Sequence, residues 1–139
     1  MTKNYLINII YNIIILIKSK IKTERKEVKG MKKKLRVAQF GCGRMGSIVM
    51  KQLVDKAELV AAFDMAPALI GKDVGEHIGT GHMGLAISDG NEAEKILAEV
   101  KPDAMVVTTR SLMNDLKDIL MIAAKLGINT ITSCEEALY

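Results

Sequence analysis

Tryptophan is absent and aromatic residues make up only 4% of the 139 residues, so a core has to be built from Val, Ile, Leu, Met and Ala. At 49% hydrophobic residues there is enough of that material for one globular domain. Cysteine is nearly absent as well: Cys42 and Cys134 form neither a disulfide framework nor a metal-ligand spacing. This usage suits a reducing compartment and a cytoplasmic protein, with each cysteine a small apolar filler rather than a nucleophile, and no metal is expected. No apolar run is long enough to cross a bilayer, since Tyr5 to Ile17 covers thirteen residues and is interrupted by Asn8 and Asn12. Net positive charge is missing from the body of the chain. The formal +4 arises because residues 1–34 hold ten Lys/Arg against two acids, whereas residues 35–139 hold ten against fourteen. A basic footprint for nucleic acid is therefore lacking there, and neither nucleic acid nor membrane is expected as a partner.

The first thirty residues read as a basic and apolar extension. Lys3 precedes the apolar stretch, but Lys18, Lys20 and Lys22 occupy the place where a small-residue cleavage site belongs. Met31 opens a Met-Lys-Lys-Lys segment directly ahead of a strand pattern, the way a translated chain begins. The expected division is residues 1–30 upstream of the true start and residues 31–139 as the domain. An interfacial anchor and a signal segment are the alternatives.

What is present is concentrated between Leu35 and Gly46. A short apolar run from Leu35 to Phe40 flows into Gly41, Cys42, Gly43, Arg44, Met45 and Gly46, a GxGxxG pattern that reads as a phosphate-binding strand, turn and helix. Gly41 serves the tight turn, Gly43 lets a diphosphate approach the backbone, and Gly46 allows the helix to lie close to the strand. The helix start then offers unpaired N–H groups and a partial positive charge to the phosphates. Met45, Ile48, Val49, Leu53 and Val54 recur at helical spacing. A second strand, Glu58 to Phe63, ends at Asp64, 23 positions after Gly41, where a ribose-binding acid belongs. Its carboxylate would accept the ribose hydroxyls and repel a 2′-phosphate, and no arginine follows in Met65, Ala66 or Pro67. NAD is the expected cofactor, with NADP possible. A solvated acid at a strand end is the bland alternative.

Strand and helix keep alternating, as a Rossmann-type doubly wound parallel sheet in the α/β class requires. Residues 67–84 are too rich in glycine for a long helix and read as a loop with one short helical turn. A brief strand at Leu85 to Ser88 leads to Asn91 and Glu94, which look like a capping pair for a helix with Ala93, Ile96, Leu97 and Val100 on its apolar face. Pro102 follows that helix, Ala104 to Thr108 is a buried strand, and Ser111 caps a helix to about Leu126. Gly127 stops it, and Asn129 to Ser133 is the next strand.

Three loops then share the carboxyl edge of the sheet: the glycine loop, Thr108-Thr109-Arg110-Ser111, and Ser133 to Glu136. Thr108, Thr109, Arg110 and Ser111 can reach the nicotinamide half of a dinucleotide, or serve equally as a strand end and a helix cap. Glu135 and Glu136 are candidates for an amine-bearing substrate against a default of surface acids. His77 and His82 stand at no recognisable catalytic spacing and are assigned no chemistry. No catalytic base is identified.

These residues reach a resemblance. Phe40 to Gly46 (FGCGRMG), Ile70 to Gly79 (IGKDVGEHIG), Lys101 to Asp103 before an apolar strand, and Gly127 to Tyr139 (GINTITSCEEALY) together resemble the N-terminal half of 2,4-diaminopentanoate dehydrogenase. That family is related to dihydrodipicolinate reductase, and the similarity spans residues 31–139. It implies oxidative deamination of 2,4-diaminopentanoate to 2-amino-4-oxopentanoate in ornithine degradation, with NAD or NADP as acceptor. It also implies a second, substrate-holding domain after Tyr139, without which the sheet is incomplete and turnover is negligible, and a homo-oligomer for the full-length enzyme. Dihydrodipicolinate reductase itself is less similar: its earlier glycine falls where Phe40 stands, and its Asp-Phe-Thr is replaced by Val107, Thr108 and Thr109. A reductase of that type and a non-catalytic NAD-binding module are the alternatives.

Overall fold

A computed structural model describes residues 12, 13, 15–19, 33–109 and 113–133. By contacts the chain divides into Met1–Leu35 and Arg36–Tyr139. In the first unit the described residues before Lys33 are helical, with Ile13 and Ile17 buried one turn apart and Ile15 and Leu16 exposed. No helix among the described residues is long and apolar enough to cross a membrane.

The second unit is built on β1 (Leu35–Phe40), α1 (Arg44–Leu53), β2 (Ala57–Asp64), α2 (Val74–Ile78), β3 (Ile87–Asp89), a 3₁₀ turn (Gly90–Glu92), α3 (Ala93–Val100), β4 (Ala104–Val107), α4 (Met113–Lys125) and β5 (Asn129–Thr132). The strands form one sheet in the order β3-β2-β1-β4-β5. The registers are parallel where β1 meets β4 (Gln39 opposite Val106), β2 meets β3 and β4 meets β5. This is the expected doubly wound α/β arrangement. The chain moves one way from β1 to β3, then returns across β1 to lay down β4. Right-handed crossovers therefore put α1 and α2 on one face and α3 and α4 on the other. The reversal leaves a crevice at the carboxyl ends of β1 and β4.

The α3/α4 face buries Ala38, Phe40, Ala61, Phe63, Met105 and Val107 against Leu97, Leu116, Ile119 and Ala123. With no tryptophan available, the Phe40 and Phe63 rings, 5.9 Å apart, supply its bulk. Alternation along β1 sends Val37 and Gln39 to the opposite face.

Several boundaries differ from the sequence reading for local reasons. Asp89, not Asn91, makes the turn ahead of α3: its Oδ1 accepts from the Asn91 N–H and from Asn91 Nδ2, both at 2.9 Å. The Asn91 side chain is thereby occupied, and α3 starts at Ala93 with Glu92 at its N-cap and no side-chain cap. The brief third strand begins at Ile87 rather than Leu85. Leu85 and Ala86 pair instead with the glycine-rich segment, through Val74 N–H to the Leu85 carbonyl (2.8 Å) and an antiparallel bridge between Asp73 and Ala86. That segment folds back along the sheet edge, which would otherwise expose unpaired backbone groups. Its helical turn is α2, capped by Asp73 and closed by Gly79 in the left-handed region.

Candidate dinucleotide site

The turn after β1 is fixed from four directions. Gly41 adopts φ +93° and donates its N–H to the Phe63 carbonyl at 2.8 Å. Its own carbonyl accepts from Thr108 Oγ1 (2.9 Å) and Gln39 Nε2 (2.8 Å), and Gln39 Nε2 also lies 2.7 Å from Thr108 Oγ1. The Cys42 carbonyl accepts from His77 Nε2 at 2.7 Å. The Gly43 carbonyl accepts from the Ser47 N–H (2.9 Å) and Ser47 Oγ (2.8 Å). All three carbonyls of the turn are thus held by the protein. What the turn leaves for a ligand is N–H.

That donor set lies at the start of α1. The first helical bond runs from Ser47 to Gly43, so the preceding amides lack an intrahelical partner. No side chain caps this end and no acid stands in its first turn. A Cβ built on Gly43 meets nothing within 4 Å, whereas one on Gly46 would lie 1.8 Å from the Gly41 carbonyl oxygen. Gly46 is needed to seat the helix against the turn itself rather than against the strand. Gly43 opens the space in front. An uncapped helix start with an open, side-chain-free approach fits a diphosphate.

Asp64 closes the end of β2. Its Oδ2 accepts the Cys42 N–H at 2.7 Å and its Oδ1 the Ala66 N–H at 2.8 Å. Each carboxylate oxygen keeps a further lone pair, so the group braces the turn and still has acceptor capacity for ribose hydroxyls.

The structure brings Gly41, Cys42, Gly43, Arg44, Met45, Gly46, Asp64, Thr108 and Thr109 to one edge. Cys42 and Thr108 are engaged with other parts of the protein. The Cys42 amide is taken by Asp64, its carbonyl by His77, and its buried Sγ lies 3.4 Å from the Phe63 carbonyl. Burial, reinforced by the nearby Asp64 carboxylate, pushes the thiol up to about 12, so it is a neutral filler. The Thr108 hydroxyl is buried behind the turn. Thr109 is exposed, its Cγ2 lying 2.9 Å from where a Gly41 Cβ would stand. Arg110, Ser111, Glu135 and Glu136 lie outside the described residues.

Sequence reasoning missed Gln39, Ser47 and His77. A buried glutamine and a lone histidine carry no motif, and only the fold brings their polar atoms to the turn. His82 stays on the surface, 3.2 Å from Glu76 and 3.4 Å from Asp73. Among the described residues no group of three or more His, Cys, Asp or Glu is placed to hold a metal ion.

Residues 35–134 match the family model described as dihydrodipicolinate reductase, N-terminus. The 4-hydroxy-tetrahydrodipicolinate reductase of Methanocaldococcus jannaschii is 37% identical over 101 residues, covering 70% of this chain and 36% of that protein. Its Methanosarcina barkeri counterpart is 36% identical over 100 residues, with the same coverage. The chain spans about a third of the length of these relatives. Among solved structures, an amine dehydrogenase from Mycobacterium smegmatis superposes with a TM-score of 0.69 at 34% identity, covering 76% of this chain and 31% of that one. RSP, a Rex-family repressor in complex with β-NADH, shares the fold with a TM-score of 0.60 at 15% identity, covering 82% of this chain and 52% of that one. The departures at Phe40 and at Val107 to Thr109 do not place the chain outside the reductase family. By the match over its body, the chain belongs to the dihydrodipicolinate reductase N-terminal family, a nucleotide-binding domain of NAD(P)-dependent oxidoreductases.

Proposed function

We propose that this chain supplies the cofactor-binding half of a dihydrodipicolinate reductase-like oxidoreductase and prefers NAD to NADP. The observation that carries the reading is the turn at residues 41–43, whose carbonyls are all held inward beside an uncapped helix start. The amides from Gly43 to Gly46 would hold the diphosphate, and Asp64 would accept ribose hydroxyls while repelling a 2′-phosphate. Thr109, Arg110 and Ser111 would face the nicotinamide half, with Glu135 and Glu136 toward a cationic substrate. When bound, the nicotinamide supplies hydride exchange with a substrate carbon.

A second reading, 2,4-diaminopentanoate dehydrogenase, is supported by the 34% identity to the amine dehydrogenase structure and by Val107, Thr108 and Thr109 where the reductase resemblance calls for Asp-Phe-Thr. Oxidative deamination needs the substrate amine neutral as the hydride leaves, and water then hydrolyses the imine.

Calorimetry with NAD and NADP tests the cofactor half: binding of NAD is expected, weaker for NADP, and heat from neither would overturn the proposal. Assays of the polypeptide in its native length, with 2,4-diaminopentanoate or 4-hydroxy-tetrahydrodipicolinate, separate the two substrate readings.

A further inference from the structure

The planar trans peptide points each N–H opposite to the carbonyl of the same unit, so whatever holds a carbonyl also aims the next amide. In the turn, the Gly41 carbonyl is held by Gln39 and Thr108, which aims the Cys42 amide at Asp64. The Gly43 carbonyl is held by Ser47, close in sequence. The Cys42 carbonyl differs. Its partner, His77 Nε2 at 2.7 Å, comes from α2, 35 positions away.

Ser47 is the weaker partner for that task. Its hydroxyl lies 3.1 Å from the Cys42 carbonyl but 2.8 Å from that of Gly43, and it has one hydrogen to give. His77 Nε2 is also 3.0 Å from Ser47 Oγ, so the imidazole N–H supplies a donor that leaves the serine hydrogen for Gly43. Gly43 carries no side chain that could add to the restraint on this peptide. Without His77 the Cys42 carbonyl keeps, among the described residues, the longer Ser47 contact, which competes with the one to Gly43.

We propose that His77 is a positioning residue for the dinucleotide diphosphate: by holding the Cys42 carbonyl it keeps the Gly43 N–H turned outward as a phosphate donor. The inference rests on the cofactor reading above. It gives the glycine-rich segment a functional consequence, because Asp73 sets α2 by accepting from the Glu76, Met83 and Gly84 amides, and α2 delivers His77.

The test compares the 139-residue chain with His77→Leu, which has no donor, and His77→Gln, which restores an N–H donor. The expected result is a three- to tenfold weaker Kd for NAD and ADP-ribose in His77→Leu, roughly the worth of one hydrogen bond. In His77→Gln the loss should shrink to within about twofold, and adenosine, which carries no phosphate, should bind all three alike. Relaxation dispersion at the Gly43 amide should show microsecond-to-millisecond exchange in His77→Leu that is absent in the wild type and in His77→Gln. If His77→Leu melts below the assay temperature, His77→Asn against His77→Gln gives the same comparison by donor reach. Unchanged affinity and a quiet Gly43 amide in His77→Leu, or failure of His77→Gln to restore either, would overturn the role of His77. Lack of binding by the wild type would instead defeat the cofactor reading, and the Gly43 dynamics would still decide the part played by His77.

Discussion

Two glycine-rich segments, residues 41–46 and 71–84, use the same amino acid in different proportions of two roles, space and backbone handedness. In the first, space dominates at Gly43 and Gly46, where a Cβ would enter the open approach or collide with the Gly41 carbonyl, and Gly41 adds a left-handed φ of +93°. In the second, Gly71, Gly79, Gly81 and Gly84 have positive φ with open space around their missing Cβ and so serve backbone handedness, as Gly79 does at the end of α2. Gly75 alone is there for space, its Cβ position lying 1.9 Å from the Gly81 carbonyl oxygen. The first segment forms the candidate site. The second packs against the helix that follows the first and reaches the turn through His77.

The comparison breaks most sharply at Gly46. Gly46→Val is expected to destabilise by about 3 kcal/mol in urea melts and to abolish NAD binding, because the turn and the helix cannot both stay in place. Gly43→Asp should act with opposite signs on stability and function. A capping carboxylate stabilises the helix start by about 0.5 kcal/mol, while its charge weakens NAD binding by about tenfold or more in calorimetry. Loss of binding together with loss of stability would show that Gly43 serves the fold instead.

Next in size is Asp64→Ala, expected to reduce the preference for NAD over NADP by about tenfold. Unaltered discrimination would confine Asp64 to bracing the Cys42 amide. Within the supporting segment, Gly79→Ala should cost about 1 kcal/mol and Gly79→Asn less, since asparagine tolerates the left-handed region.

The smallest effect is local and depends on pH. The Met83 amide, with those of Glu76 and Gly84 and the nearby His82, holds the Asp73 carboxyl below its ordinary range against the opposing effect of burial. A depressed carboxylate contributes stability that is present above its unfolded value and lost as pH falls through the folded one. Protection of the Met83 and Gly84 amides, relative to their intrinsic exchange rates, should therefore be full above about pH 4 and fall below it, and Asp73→Asn should remove this dependence. If His77 links the two segments, NAD affinity will weaken over the same interval.

Much of the fold was legible because its determinants are local. Leu35 to Phe40, Ala104 to Val107 and the helices around Leu53 and Leu116 carry their periodicities openly, and Gly127 ends α4 in the left-handed region as expected. The cap of α3 was misread because Asp89 and Asn91 are equally good turn formers, and only the observed hydrogen bonds choose between them. The start of β3 was misread because the pairing of Leu85 with Val74 crosses a glycine-rich stretch with no periodic signal. In the site, Gly41, Gly43, Gly46 and Asp64 were readable from spacing. Gln39, Ser47 and His77 were not, since each acts through one polar atom.

The sequence by itself determined the alternation of strands and helices, the glycine turn between β1 and α1, and an acid at the end of β2. Period and spacing along the chain encode these directly. Only the tertiary structure decided which carbonyls of that turn are restrained, that the Cys42 and Thr108 side chains are buried, and that a histidine 35 positions away holds one of its carbonyls. Hydrogen bonds between distant segments leave no periodic trace, so their partners appear only once the sheet has brought them within 3 Å.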